Sequence, residues 1–164
     1  MSHQPLIDGF EFATAGARQK GRWPVRELPR LRDMLASDAG EIAYELEGTR
    51  DERGRPGLRL SLQGTLELRC QRCLEPMPFE VGADEVLVLA ASQAEIDAEP
   101  ADAHAPDRVL AGKEMPVRDL IEDQLILELP YAPRHEGCAA GAGQRADERI
   151  SPFAGLRGLM RGKH

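Results

Sequence analysis

Four residues of a 164-residue chain combine the donor atoms and the spacing of a metal site. They are Cys70 and Cys73 in LRCQRCLEP (68–76), and His135 and Cys138 in PRHEGC (133–138). The two donors of each pair are three positions apart. A structural zinc ion takes four Cys or His ligands, so these four would hold one Zn2+ as a Cys3His site and clip distant parts of the chain together. Two other readings stay open. A dithiol redox pair wants its cysteines at a helix N-terminus, where the dipole lowers a thiol pKa, whereas here a strand-like run ends and Leu-Glu-Pro follows. In the third reading Cys70 continues the apolar parity of Leu66 and Leu68 and simply packs, with Cys73 and Cys138 incidental.

Signals for other chemistry are weak. The chain has no GxxxxGKS phosphate loop, no GxGxxG after a strand and no HExxH. Glu122 and Asp123 are neighbours on a helical pattern, so their side chains diverge by about 100° and read as a solvated face, not as an acid–base pair. His3, His104 and His164 lie in segments without catalytic context. The Arg-rich stretch RDERGRPGLR is interspersed with acids and reads as a solvated loop. None of these features by itself makes an active site, and no small-molecule substrate is expected.

Charge is distributed unevenly. Residues 1–83 carry 12 basic and 13 acidic groups; residues 84–133 carry 3 and 12, a net of −9; residues 134–164 carry 6 and 3, a net of +3. The middle third would repel a phosphate backbone and suits a basic protein, so a nucleic-acid contact falls to the ends of the chain. In the tail, Arg157, Arg161 and Lys163 are the candidate RNA- or partner-binding residues. Three cysteines, an odd number, fit the reducing cytoplasm better than a disulfide framework. The opening MSHQPLIDGFEF lacks a basic start and a long apolar run, which predicts no secretion signal, and no stretch is apolar enough to span a bilayer.

The elements that must position these residues follow from hydrophobic periodicity. LIDGFEFATAG alternates weakly and predicts a short strand. In WPVRELPRLRDML, Leu28, Leu31 and Leu35 are spaced for one face of a short helix. EIAYELEG places Ile42, Tyr44 and Leu46 on one side of a strand. GLRLSLQGTLELRC alternates most cleanly, with Leu58, Leu60, Leu62, Leu66, Leu68 and Cys70 in one parity, and Gly64 predicts a bulge or bend. FEVGADEVLVLA resumes strand character after the cysteine turn. Residues 91–107 are acidic, rich in Ala and Pro, and predict a flexible insertion. MPVRDLIEDQLILELP predicts a helix on a stripe through Val117, Leu120, Ile121, Gln124, Leu125 and Glu128, with Pro116 in its first turn and Pro130 ending it. After Ser151–Pro152, Phe153, Leu156, Leu159 and Met160 predict a short amphipathic helix. The expected fold class is α+β: an antiparallel sheet (a meander or partly closed barrel) with flanking helices, a domain over 1–138, and a flexible tail over 139–164.

The order and spacing of several segments resemble the large ribosomal RNA subunit accumulation proteins, the YceD family. The matching segments are LRCQRCLEP (68–76), LIEDQLILELP (120–130), PRHEGC (133–138) and SPFAGLRGLMRGK (151–163). The resemblance implies a non-enzymatic bacterial role in accumulation or processing of 23S (large-subunit) rRNA, hence in ribosome assembly. Implied partners are that rRNA or a pre-ribosomal intermediate, and ribosomal protein L32, whose gene commonly neighbours those of the family. The rivals are a small zinc-binding adaptor module outside ribosome biogenesis and a dithiol redox protein.

Overall fold

The computed structural model describes residues 5–100, 102 and 105–138. In chain order the elements begin with β1 (Leu6–Ile7), α1 (Gly9–Ala15) and β2 (Arg18–Pro24), followed by two 3-10 turns, Val25–Glu27 and Pro29–Leu31. There follow β3 (Leu35–Ser37), β4 (Glu41–Arg50), β5 (Pro56–Arg69), β6 (Pro76–Ala90), α2 (Gln93–Asp97), β7 (Arg108–Leu110), β8 (Met115–Pro116) and α3 (Val117–Glu128).

A six-stranded sheet runs in the order β2-β4-β5-β6-β7, with β3 also paired to β5. The pairs β2–β4, β4–β5 and β5–β6 are antiparallel, whereas β7 joins β6 in parallel, so the sheet is mixed. It is open, with β2 and β7 at its edges, and the expectation of a partly closed barrel is corrected to an open meander with one parallel addition. The β4–β5 turn is tied by Asp51, whose carboxylate accepts from the N–H groups of Arg53 (3.0 Å) and Arg55 (2.8 Å). The register of β5 runs unbroken through Gly64, which pairs with Ile42 and with Val81. The bulge expected there is absent. Glycine is needed instead because a Cβ would lie 2.7 Å from Ile42 Cδ1 and 2.9 Å from the Glu41 carbonyl oxygen.

One face of the sheet is the core side. Ile42, Leu46, Leu58, Leu60, Leu62, Leu66 and Leu68 are fully buried there, with Val117, Ile121 and Leu125 of α3, Val25 and Leu31 of the 3-10 turns, and Leu28 between those turns in the same cluster. The opposite face is solvated and laced with ion pairs such as Arg18–Glu47 and Arg59–Asp84.

Several local expectations change. The first segment is mainly α1, because Asp8 caps it by accepting the Glu11 N–H (3.0 Å) and Gly16, at φ 59°, ends it. The Leu28–Leu35 helix is replaced by two 3-10 turns and β3; Pro29 has no N–H to continue a helix, yet all three leucines remain buried. Helix α3 forms where expected, with Pro116 as its N-cap. Glu122, expected on a solvated face, is only 1% exposed, and its carboxylate accepts the Arg30 N–H (2.9 Å), docking a 3-10 turn on α3. Asp123 beside it pairs with the Arg30 guanidinium. Inside the acidic stretch 91–107 the structure places α2, capped by Ser92, with Glu95 and Glu99 both paired to Arg108. No helix among the described residues is long and apolar enough to cross a membrane.

Candidate metal centre

Each half of the site is a turn at the end of a regular element. Strand β5 delivers Cys70 immediately beyond its last paired residue, Arg69, and the chain reverses before β6 begins at Pro76. Two hydrogen bonds close the reversal: Leu74 N–H to the Cys70 carbonyl (2.9 Å) and Cys70 N–H to the Glu75 carbonyl (3.0 Å). The second half follows α3, where Cys138 N–H donates to the His135 carbonyl (3.3 Å) and Gly137 takes φ 70°. Gln71 N–H donates to the Pro133 carbonyl (2.8 Å) and fastens the two turns side by side.

The four side chains expected to act together do converge. One donor atom from each of Cys70, Cys73, His135 and Cys138 lies within 4.8 Å of all the others. Cys70 Sγ is 3.8 Å from Cys138 Sγ, and Cys73 Sγ is 3.4 Å from His135 Nδ1. Bond lengths of about 2.3 Å to sulfur and 2.0 Å to nitrogen give a zinc-centred tetrahedron edges of roughly 3.5–3.8 Å, so two edges already match. The cysteines are free thiols.

The surroundings also suit a cation. His135 Nε2 lies 3.0 Å from the Pro76 carbonyl and, as donor to it, leaves the Nδ1 lone pair facing Cys73. A ligating histidine is oriented in this way by a carbonyl on its other nitrogen. The backbone N–H of Cys73, then that of Arg72 in the same turn and that of His135 in the second turn, face the Cys70 sulfur and hold its thiol down at about 5. Loss of hydration, followed by the neighbouring sulfurs, pushes the Cys138 thiol up to about 11. The bond to Pro76, and then the Cys70 sulfur, raise the His135 imidazole above its ordinary value. Preformed thiolate character beside a thiol that is costly to ionise is what a divalent cation would relieve. The cluster could hold a metal ion, and its three sulfurs and one imidazole fit zinc by donor type.

Cys70 is fully buried, as its parity predicts, but it faces the other donors and stands outside the apolar cluster. No helix follows Cys73, and the depressed Cys70 thiol owes its shift to turn amides instead of a helix terminus. Arg157, Arg161 and Lys163 lie outside the described residues. Three contributors left no compositional signal: the Pro76 and Pro133 carbonyls, and Leu74 with its φ of 65°. Leu74 is the one non-glycine residue at positive φ among those described, and its side chain is 67% exposed. Leu74→Gly should therefore stabilise the fold by about 0.5–1 kcal/mol, the strain relieved outweighing the entropy gained by the unfolded chain. A rise in denaturation midpoint at constant slope would show it, and Leu74→Ala should give no such rise.

A family model described as "Large ribosomal RNA subunit accumulation protein YceD" matches residues 58–160. The match covers well over half of the chain and includes all four residues of the cluster. No solved structure matches.

Proposed function

Because the chain belongs to the large ribosomal RNA subunit accumulation (YceD) family, we propose that it acts in the bacterial cytoplasm as a non-enzymatic assembly factor. It supports accumulation or processing of 23S rRNA and carries one structural zinc ion on Cys70, Cys73, His135 and Cys138. The observation that carries this reading is the span of the family match, which joins both halves of the cluster in one unit. The zinc supplies a crosslink and no reaction: the four residues close the end of the β5–β6 hairpin onto the chain leaving α3. The partner is large-subunit rRNA or a pre-ribosomal particle, with ribosomal protein L32 as a candidate protein contact.

Many arginines of the sheet and helices already face carboxylates, among them Arg18, Arg30, Arg55, Arg59 and Arg108. Direct RNA contact is assigned to the tail cations Arg157, Arg161 and Lys163, in the third of the chain whose net charge is +3. Three phosphate contacts release few counterions, so affinity for large-subunit rRNA fragments should fall with salt at a slope of magnitude about 2–3. Removal of residues 152–164 should abolish most of that dependence. A steep slope, or binding indifferent to the truncation, would count against the tail. The reading as a whole is tested by rRNA profiling of a deletion strain complemented with wild-type or Cys73→Ser protein. Loss of large-subunit rRNA relative to small-subunit rRNA is expected, and an unchanged ratio in the deletion strain would refute the assignment.

A further inference from the structure

Away from the metal centre, a trough runs between α3 and the outer edge of β7. Two hollows of 440 and 300 Å³ share Val109, Leu120 and Asp123 and so form one continuous depression. Leu87 and Leu120 form its floor as part of the core, and Val109 and Ile126 are half-buried in its walls. Leu110 and Leu127 stand 51% and 68% exposed along it. Exposed leucines beside an apolar floor mark a seat for another segment. Acids outnumber bases along it: Asp107, Glu114, Asp119 and Asp123 stand against Arg30 and Arg108, and Asp107 and Glu114 have no ion pair among the described residues.

We propose that residues 151–163 of the same chain dock into this trough. At helical spacing Phe153, Leu156, Leu159 and Met160 present one apolar side, while Arg157, Arg161 and Lys163 supply three cations and the segment contains no acid. The net charges are complementary to the trough, and the tether is long enough to run back along α3. Twelve residues, 139–150, separate Cys138 from the segment, and a chain of that length reaches at most about 40 Å. The trough lies along α3, whose twelve residues measure about 18 Å and whose C-terminal end leads into the His135–Cys138 turn. A tether that reaches makes docking intramolecular, at an effective concentration on the order of millimolar, so a modest apolar contact suffices. Docking also sets the tail cations against acidic groups, so RNA would have to compete for them.

The inference is separable from the rRNA reading because its test uses the zinc-loaded full-length protein alone. Amide spectra would be compared between wild type and Leu156→Asp/Leu159→Asp, with an unfolding midpoint to confirm an intact fold. Shifts at Val109, Leu120 and Leu127 are expected. Reciprocally, Leu127→Asp, at an exposed site the fold tolerates, should lower hydrogen-exchange protection of residues 153–160 by at least about tenfold. Trough signals that ignore the tail substitutions would overturn the proposal, as would tail protection that ignores Leu127→Asp. Effects that vanish on dilution would assign the trough to a second copy and overturn docking within one chain.

Discussion

Stripping zinc from the purified protein should cost several kcal/mol of folding stability. The ligand set exists only in the folded chain, so the free energy of binding becomes free energy of folding. Cys73→Ser should mimic the chelator, because it removes one of four donors from a cluster whose Cys73–His135 edge is already 3.4 Å. A cysteine that merely packed at a half-buried position would cost less than about 1.5 kcal/mol on replacement. Denaturant titration with and without chelator, on wild type and Cys73→Ser, separates the two. Elemental analysis is the shorter route: under about 0.2 zinc per chain, with all thiols reactive, would sink the site. The pH dependence has a definite sign. With its thiol at about 5, Cys70 is already ionised at neutral pH, whereas Cys138, at about 11, must surrender a proton to bind. Metal affinity should therefore rise as pH increases through neutrality.

Gly48→Ala should be the most damaging single methyl group in the sheet, at about 2–3 kcal/mol. A Cβ at Gly48 would fall on the Phe12 carbonyl oxygen and within 2.9 Å of Ala13 Cα. Both obstacles are backbone of α1, so no side-chain rotamer can make room. The Gly48 N–H also donates to the Ala17 carbonyl (2.8 Å), which fixes the end of α1 against β4. Relief would require α1 to lift and expose Phe12 and Ala13. Thermal or denaturant unfolding measures the loss, and the thiols should remain protected by metal because the clash is remote from Cys70. By contrast Gly82, with nothing near its absent Cβ, should accept alanine at little cost.

Alternation made β4, β5 and most of β6 readable, because one buried face forces a period of two on every residue. The stripe through Val117, Leu120, Ile121 and Leu125 did the same for α3. Strand β2 escaped because RQKGRWP buries a single large residue, Trp23, and its identity rests on pairing with β4. Helix α1 escaped because seven residues carry little periodicity, although Asp8 and Gly16 stood at its ends as caps. The burial of Glu122 was illegible for a different reason: its partner is a backbone N–H at Arg30, 92 positions away. In the candidate site, cysteine and histidine spacing singled out the four donors but left packing and redox readings open; their convergence within 4.8 Å comes from the fold. The supporting atoms of the site were not legible, since the carbonyls of Pro76 and Pro133 belong to the backbone and leave no mark on composition.

The division of the candidate ligands between two turns bears on the order of events during folding. The hairpin that carries Cys70 and Cys73 is made of local pairings between β5 and β6, whereas the Cys70–Cys138 contact closes 68 positions of chain. Closing so long a loop is entropically slow compared with zipping a hairpin, so the second turn arrives late. On a ribosome, Cys138 also emerges only after the whole sheet has been synthesised. A crosslink absent from the transition state leaves the folding rate alone and slows unfolding. Zinc should then act as a latch in time: refolding rates with and without metal should nearly coincide, and the stability gained should appear almost entirely as a longer lifetime of the folded state.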